Sequence, residues 1–233
     1  QRGWRVAINY SSNAAAAQAL VAEIQAHGGA ALSVQADVSV EADVLRLFAT
    51  VDQQLGPLSA LVNNAGVVDL PSPVADIGLA RLQRMFNINV IGSFLCAREA
   101  VRRMSTARGL RDFGPGFGRG GAIVNVSSAA ARLGSPGQYV DYAAAKGAID
   151  AMTLGLAKEV AAEGIRVNAV RPGLIETDIH ASGGLPDRVR DLAHLVPMQR
   201  GGSALEVAQA ILWLLSPEAS YTTMGLLDVS GGR

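Results

Sequence analysis

The chain has 233 residues, of which 49% are hydrophobic, and its 20 Lys and Arg residues balance its 20 Asp and Glu residues. This composition supplies a large buried core and argues against disorder, while the charge balance leaves no basic field for nucleic acid or an anionic membrane. No apolar run approaches the roughly 20 residues that span a bilayer, the start lacks a signal-peptide pattern, and the single cysteine, Cys96, cannot form an internal disulfide, so we expect a cytoplasmic protein.

Short apolar or β-branched runs alternate with segments of helical periodicity along the chain. The runs predict strands at 4–9, 31–36, 58–63, 122–127, 165–170 and 226–230, and the intervening patterns predict helices that include 14–27, 41–55, 139–162 and 203–215. This alternation predicts a doubly wound parallel sheet of the Rossmann-like α/β class, in a single domain over 1–233. The least regular stretches, 105–121 and 178–200, predict surface loops, the second of them a lid over the substrate.

A glycine-rich run, GPGFGRGG at 114–121, contains a nucleotide-loop spacing in Gly116-x-Gly118-x-x-Gly121. A phosphate loop follows a strand and opens a helix, so that backbone N–H groups and the helix dipole face the anion. This run instead follows a helical pattern and precedes the strand at 122–127. We interpret it as a connection from a helix to a strand.

Small and polar residues collect where the predicted strands end. They are Asn9 to Ser12, Asp37 to Ser39, Asn63 to Gly66, Ser127 with Ser128, and Arg171 to Gly173. Any one of these groups is typical of an ordinary turn or helix cap. Because ligands of open parallel sheets bind beyond the carboxyl ends of the strands, five groups at one edge favour a continuous binding crevice.

Tyr142 and Lys146, in the sequence YAAAK, lie four residues apart in a predicted helix and share one face of it. A free tyrosine titrates near pH ~10, and a neighbouring ammonium favours the phenolate. For the pair alone, an incidental surface contact is the simpler explanation. Ser128, at the end of a strand 14 residues upstream of Tyr142, favours a catalytic one, because its hydroxyl could hold a carbonyl beside the phenol.

Taken together, these motifs resemble the short-chain dehydrogenase/reductase family. The resemblance covers nearly the whole chain and rests on NNAG at 63–66, NVIGSF at 89–94, VSS at 126–128, YAAAK at 142–146 and RPGLIET at 171–177. It implies hydride transfer between a nicotinamide cofactor and a carbonyl or alcohol substrate.

The family's catalytic roles map onto four positions. By this resemblance Tyr142 is the general acid/base, and Lys146 lowers the pKa of Tyr142 and bonds the nicotinamide ribose. Ser128 orients and polarises the substrate carbonyl, with Ser127 as a less favoured substitute. Asn89 would hold a water that links Lys146 to a proton relay.

The resemblance also implies the cofactor contacts. Asp37 and Val38 would contact the adenine, Asn64, Ala65 and Gly66 the adenosine side, and Pro172, Gly173, Ile175 and Thr177 the nicotinamide and the phosphates, together with Tyr142 and Lys146.

The cofactor preference follows from the charge at one strand end. Members of the family that prefer NAD usually carry an acid there, which binds the ribose 2′-OH. In this chain the place is taken by Tyr10, followed by Ser11, Ser12 and Asn13. No carboxylate would repel a 2′-phosphate, so the sequence favours NADP(H) over NAD(H).

The start of the chain departs from the family pattern. The family opens with a strand and a glycine-rich loop before its first helix, whereas this sequence begins near the end of that helix. The absent strand would lie between the strands at 4–9 and 58–63, where each unmade buried hydrogen bond costs about 1–3 kcal/mol. We therefore expect roughly thirty further residues upstream, as the family layout implies. The alternative is a non-catalytic nucleotide-binding or scaffold protein with a degenerate cofactor site.

The remaining features concern partners. His27, His180 and His194 are far apart, so we expect no metal site. Ala143, Gly147, Ala151 and Gly155 form a row of small residues along the Tyr142 helix, which lets another helix approach closely. Because the family pairs this helix across a dimer axis, the resemblance implies a homodimer or homotetramer. Arg132, Gln138 and Tyr139 are candidate pocket residues, and the identity of the small carbonyl or alcohol substrate stays open.

Overall fold

The computed structural model of the chain describes residues 3–107 and 116–233. Its strands are β1 (Arg5–Tyr10), β2 (Ala30–Gln35), β3 (Ala60–Asn63), β4 (Gly121–Val126), β5 (Ile165–Pro172), β6 (Ile175–Glu176), β7 (Gly202–Ser203) and β8 (Leu226–Val229). Its α-helices are α1 (Ala14–Ala26), α2 (Glu41–Leu55), α3 (Leu79–Phe86), α4 (Gly92–Met104), α5 (Ala130–Leu133), α6 (Val140–Val160), α7 (Ile179–Ser182), α8 (Arg188–Leu192) and α9 (Ala204–Leu215). The predicted boundaries agree with these to within two residues for every strand and helix that the sequence delimited.

Every strand pairing in the described residues is parallel. The central ladder has the order β3-β4-β5-β8, and β1 pairs with β2 from Arg5 opposite Ala30 to Tyr10 opposite Gln35. The strands β6 and β7 form a separate short pair. Parallel strands place their carboxyl ends at one edge, so the predicted polar groups gather at that edge.

The two faces of the sheet are covered by different helices. On one face, apolar side chains of β2, β4 and β5 pack with those of α2, α4 and α6, and Cys96 lies in this core at 6% exposure. On the other face, Val124 and Val170 pack against Val207 and Leu214 of α9. Neighbouring residues of β4, such as Ile123 and Val124, enter opposite cores, as strands buried on both faces require. The predicted Rossmann-like α/β fold is confirmed.

A wide apolar cleft separates β1 from β3. It encloses about 1490 Å³ and is bordered by Val6 and Ile8 of β1, Leu61 of β3 and Phe48 of α2. This is the place where the sequence predicted a further strand. The strands on its two sides are not hydrogen-bonded to each other within the described residues.

The glycine run connects α4 to β4, as its flanking patterns predicted; its first two residues lie outside the described ranges. Gly118 and Gly120 donate their N–H groups to the carbonyls of Arg103 and Met104, both 2.8 Å away, at the carboxyl end of α4. Both glycines have positive φ, 69° and 78°, a conformation that glycine adopts without steric cost. These donors therefore cap a helix and are not directed at a ligand.

The segment 178–200, which the sequence predicts to be a lid, contains two short helices, α7 and α8, and a 3₁₀ turn at Ala193–Leu195. Gly183 and Gly184, directly after α7, lie close to the segment after β3, because a Cβ there would be 2.8 Å from a methyl group of Val68 and 2.5 Å from a methyl group of Leu70 respectively. The lid thus packs closely against the segment that follows β3. Across the described residues, no helix has the length and apolar character to cross a membrane.

Candidate active site

Tyr142, Lys146 and Ser128 lie together at the carboxyl edge of the sheet. Tyr142 sits in the first turn of α6, and Ser128 follows β4. The Ser128 side chain lies close enough to the Tyr142 phenol to influence its pKa, and Ser128 Oγ accepts the N–H of Ala130 at 3.1 Å. The Lys146 ammonium lies 5.6 Å from the centroid of the Tyr142 ring. The structure thus brings together three of the four predicted catalytic side chains.

The Lys146 ammonium lies over the face of the Tyr142 ring, whereas the helical spacing predicted it near the phenol oxygen. Its Nζ donates to the carbonyl of Val126 at 2.7 Å, which holds it against β4. Burial raises the pKa of Tyr142, and the neighbouring Ser128 side chain opposes this rise only in part. In this arrangement the phenol keeps its proton, so the expected lowering of the Tyr142 pKa by Lys146 is not found.

Burial also shifts the pKa of Lys146, in the downward direction. Lys146 is 4% exposed, and desolvation lowers its pKa to about 8, against a smaller opposing effect of Asp150. Asp150 lies one helical turn further along α6 on the same face. Its Oδ2 accepts Arg171 Nε at 3.0 Å and Nη2 at 2.8 Å, while its Oδ1 is buried without a partner in the described residues. Asp150 was not among the predicted site residues, although its spacing of four residues from Lys146 was the available signal.

Asn89 lies in a π-helical turn, Asn87–Ile91, inserted between α3 and α4. Asn89 is 1% exposed. Its side chain makes two hydrogen bonds to the backbone of Val67: Oδ1 accepts the N–H and Nδ2 donates to the carbonyl, both at 2.9 Å. Nδ2 also lies 2.8 Å from the sulfur of Met85. Asn89 therefore fixes the chain that leaves β3, next to Gly66. π-Turns inside helices are frequent at functional sites.

A buried chain of amides supports this edge from below. Asn63 Nδ2 donates to Asn125 Oδ1 at 2.9 Å, and Asn125 Nδ2 donates to Thr153 Oγ1 at 2.9 Å. The chain joins β3, β4 and α6. This chain was not predicted. The available signal was an Asn within the apolar run AIVNVS, because a buried polar group must find a partner.

Ser127 faces away from the phenol, unlike Ser128. It is 2% exposed, and its Oγ donates to the backbone carbonyl of Lys146 at 3.2 Å. Its hydroxyl therefore links β4 to α6. This placement favours Ser128 as the serine that meets a substrate.

The predicted adenosine-side residues occupy the ends of β1, β2 and β3. Tyr10 ends β1 and is partly buried, and Ser11 and Ser12 are exposed, with hydroxyls that make no hydrogen bond to the described residues. Asp37 is turned onto Ser39, whose N–H and Oγ donate to Asp37 Oδ1 at 2.9 and 2.7 Å. Val38 is buried, and Asn64 and Ala65 are exposed.

The predicted nicotinamide-side residues surround the turn after β5. Pro172 ends β5, Ile175 is buried in β6, and Thr177 is exposed. Gly173 is tightly enclosed, since a Cβ there would lie 2.8 Å from the Cα of Ser230. The backbone of β5 and that of the chain end thus approach each other more closely than any side chain would permit.

The edge as a whole fits a dinucleotide. A Cβ on Gly66 would lie 2.7 Å from Asn89 Oδ1 and 3.5 Å from Lys146 Nζ, so glycine lets the backbone run beside both polar groups. The exposed main chain at 64–65 and the free hydroxyls of Ser11 and Ser12 add polar groups without bulk. Narrow backbone and short polar side chains are what a phosphate-containing ligand needs at this edge.

The candidate pocket residues lie near the start of α6. Tyr139 is 6% exposed, and the guanidinium of Arg188 lies 5.2 Å from its ring centroid. Gln138 is partly buried, and its carbonyl accepts the N–H of Ser72 at 2.9 Å. Arg132 is directed instead to Asp228, 3.3 Å away. Tyr139 and the lid thus meet beside Tyr142.

The small-residue row of α6 is only partly covered. Ala143 is buried, whereas Ala151 and Gly155 are exposed. A Cβ at Gly147 or Gly155 would meet no atom within 4 Å. One face of this helix is therefore open to solvent in the single chain.

Comparison with known proteins agrees with the site. A sequence profile described as enoyl-(acyl carrier protein) reductase matches residues 1–233. The chain is 54% identical over 233 residues to the uncharacterized oxidoreductase YgfF of Escherichia coli, covering 100% of this chain and 91% of that one. It is 34% identical over 231 residues to a 3-oxoacyl-(acyl-carrier-protein) reductase of Synechocystis, covering 99% and 87% of the two chains.

Solved structures show the same architecture. A short-chain type dehydrogenase/reductase of Mycobacterium marinum superposes with a TM-score of 0.88 at 30% identity, over 98% of this chain and 85% of that one. A blue fluorescent protein from a metagenomic library, in complex with NADPH, superposes with a TM-score of 0.85 at 32% identity, over 98% and 87% of the two chains. The chain is therefore an oxidoreductase that belongs to the short-chain dehydrogenase/reductase family.

Proposed function

We propose that the protein transfers a hydride between NADP(H) and a small carbonyl or secondary-alcohol substrate, with Tyr142 as general acid/base. The observation that carries this proposal is the convergence of the Ser128 side chain and the Lys146 ammonium on Tyr142. When bound, the nicotinamide supplies or accepts the hydride. The residues of the chain then have to hold the substrate oxygen and move one proton.

The proton step follows from the state of Tyr142. Because burial raises its pKa, the phenol is protonated at neutral pH and can donate to a carbonyl oxygen as that oxygen gains negative charge. In the opposite direction the phenolate would accept the alcohol proton. The Ser128 hydroxyl would donate a hydrogen bond to the same oxygen and so hold it beside the phenol. Asn89 positions the adjoining backbone through Val67.

The test of this role compares two tyrosines. Tyr142→Phe removes the proton donor, and we expect NADPH oxidation with a panel of ketones to fall by about 100-fold or more while NADPH still binds. Tyr221→Phe is the matched control, because Tyr221 is fully exposed and the same chemical change there should leave turnover unaltered. Unchanged turnover in Tyr142→Phe would refute the acid/base assignment, whereas a parent protein that binds NADPH but turns over no ketone of the panel would favour a non-catalytic nucleotide-binding role.

The preference for NADP(H) over NAD(H) is part of the proposal. It is supported by the end of β1, where Tyr10 is followed by Ser11 and Ser12, whose hydroxyls make no hydrogen bond to the described residues, and not by an acidic residue. Tyr10→Asp would repel a 2′-phosphate and accept a bond from a 2′-OH. We expect the ratio of kcat/KM for NADPH to that for NADH to fall by at least about tenfold. Tyr10→Phe keeps the size without the charge and should preserve the ratio.

We also propose that a cytoplasmic homodimer or homotetramer forms through α6. The open row at Gly147, Ala151 and Gly155 supports this, because small residues permit close helix contact. Gly155→Arg should shift the mass measured by light scattering toward the monomer. Lys158→Gln, on an exposed position of the same helix, should not. A monomeric parent protein would refute this part alone.

A further inference from the structure

Arg81 of α3 joins two segments that border Tyr142. Its Nε and Nη2 donate to the two carboxylate oxygens of Asp141, at 2.7 and 3.1 Å, directly before Tyr142 in α6. Its Nη1 donates to the backbone carbonyl of Leu70, at 2.6 Å, in the segment that follows β3. The Asp141 side chain is fully buried and that of Arg81 nearly so. One planar group with little access to water therefore holds both segments.

The segment 67–72, which we call the strap, runs past the start of α6. At one end it continues from Gly66, where a Cβ would lie 3.5 Å from Lys146 Nζ. At the other end the N–H of Ser72 donates to the carbonyl of Gln138 at 2.9 Å. Along the chain these two partners lie four residues after and four residues before the proposed acid/base. The strap therefore borders α6 on both sides of that residue.

The strap also supports the segment 178–200. A Cβ at Gly183 would lie 2.8 Å from a methyl group of Val68, and one at Gly184 would lie 2.5 Å from a methyl group of Leu70. The side chain of Leu70 thus lies against 178–200, while its carbonyl is held by the guanidinium of α3. A shift of the strap would move both walls of the space beside the phenol.

We propose that Arg81 is a positioning residue that sets the width of the substrate pocket between the strap and Tyr142. This inference rests on the proposed function, in which the substrate oxygen meets Tyr142 and Ser128. The N–H groups of a guanidinium form a rigid fork, so Arg81 keeps the Asp141 carboxylate and the Leu70 carbonyl at a fixed separation. A wall at a fixed distance from the phenol selects ketones by their bulk.

The experiment compares the bulkiest and the smallest ketone that the parent enzyme reduces, for example acetophenone and butan-2-one. Arg81→Lys keeps a positive charge beside Asp141 but lacks the fork. The released strap then admits the bulkier ketone, while the smaller ketone loses the wall that orients it. We expect the ratio of kcat/KM for the bulky ketone to that for the small one to rise by at least about tenfold. Because both values scale with the concentration of active enzyme, a loss of folded protein leaves this ratio unchanged.

Arg84→Lys is the matched control, because Arg84 lies on the same helix and its pair with Asp69, at 3.4 Å, is at the surface. It should preserve the ratio. The double variant Arg81→Met with Asp141→Asn removes the hydrogen bond to Leu70 without leaving a buried charge unpaired. It should raise the ratio as Arg81→Lys does, and it serves as the test if Arg81→Lys does not fold.

Hydrogen exchange followed by mass spectrometry measures the strap without turnover. The N–H groups of Val67 and Ser72 are hydrogen-bonded to Asn89 Oδ1 and to the carbonyl of Gln138, so they exchange slowly while the strap is held. In Arg81→Lys we expect peptides that cover 67–72 to exchange at least about tenfold faster than in the parent protein. In the control variant their exchange should be unchanged.

Two results would overturn the inference. One is a selectivity ratio within about twofold of the parent value in the Arg81 variants, and the other is exchange at 67–72 that is no faster than in the parent. Either would leave Arg81 with a role in stability alone. Failure of the proposed function is distinguishable, since it would appear as a parent protein that reduces no ketone or as turnover that Tyr142→Phe does not reduce. The exchange at 67–72 then still decides whether Arg81 holds the strap.

Discussion

A buried ion pair beside the phenol makes a measurable contribution to stability. Arg81 of α3 donates two hydrogen bonds to the carboxylate of Asp141 of α6, from Nε to Oδ2 at 2.7 Å and from Nη2 to Oδ1 at 3.1 Å. Its Nη1 donates to the carbonyl of Leu70 at 2.6 Å. The Asp141 side chain is 0% exposed and that of Arg81 14%. Asp141→Asn removes the negative charge and leaves a guanidinium in a nearly dry site, which should cost about 3 kcal/mol of unfolding free energy.

The assay is urea unfolding at pH 7, followed by the fluorescence of the two tryptophans. The double variant Arg81→Met with Asp141→Asn should lose clearly less than the sum of the two single losses, because no unpaired charge remains. Asp187→Asn, at an exposed pair of the lid, should cost less than about 0.5 kcal/mol. A loss below about 1 kcal/mol in Asp141→Asn, or strictly additive losses, would refute the reasoning.

The same pair has a defined pH dependence. Burial alone would raise the pKa of the Asp141 carboxyl, but the hydrogen bonds from Arg81 hold it below its usual value. The stabilisation is therefore complete above the unfolded pKa of about 3.9 and is lost as the pH falls through the lower folded pKa. The stability difference between the parent and Asp141→Asn should shrink on acidification.

Three further predictions concern the site and the core. Burial lowers the Lys146 pKa to about 8, and the Asp150 carboxylate limits this fall. Asp150→Asn removes that carboxylate, so the Lys146 pKa should fall further. Because the ammonium is present only below its pKa, the alkaline limb of the pH profile of kcat/KM should move to lower pH. Cys96, whose pKa burial raises to about 12, should resist a disulfide reagent at pH ~8 in the native protein and react in concentrated urea. Gly66→Ala would press a Cβ to 2.7 Å from Asn89 Oδ1 and should lower kcat/KM by at least about tenfold.

Each of these has a control. Gly78→Ala introduces a Cβ into open space and should leave kcat/KM intact. Glu159→Gln removes a carboxylate from an exposed position of α6 and should not move the alkaline limb. An unshifted limb in Asp150→Asn, fast native labelling of Cys96, or full activity in Gly66→Ala would contradict the corresponding argument.

The order of the elements was predictable because periodicity reports burial directly. Strands such as 122–127 and 165–170 are apolar on both faces, and helices such as 41–55 have one apolar side. The proximity of Tyr142 and Lys146 followed from helical spacing. The position of the Lys146 ammonium over the Tyr142 ring could not be predicted in this way. It is determined by a hydrogen bond from Nζ to the carbonyl of Val126, at the end of β4.

Other features depended on contacts between distant residues. The hydrogen-bonded chain joins Asn63 to Asn125, 62 residues later, and Asn125 to Thr153, 28 residues later. No local sequence pattern predicts these pairings. The sequence also does not show which lid arginine pairs with Asp187 and Asp191; in the structure it is Arg190. Sequence predicts which residues are polar, whereas partners and unpaired groups emerge only from the fold.

The π-turn at Asn87–Ile91 has a consequence for how this segment tolerates change. It closes with Gly92 N–H on the carbonyl of Asn87, five residues back, so the helical rod from Leu79 to Met104 contains a surplus residue. Deleting one residue there would restore ordinary α-helical winding and leave the two halves in register, but it would remove the wide turn that places Asn89 against Val67. Such a deletion is therefore expected to keep the packing of the rod while it releases the segment that leaves β3.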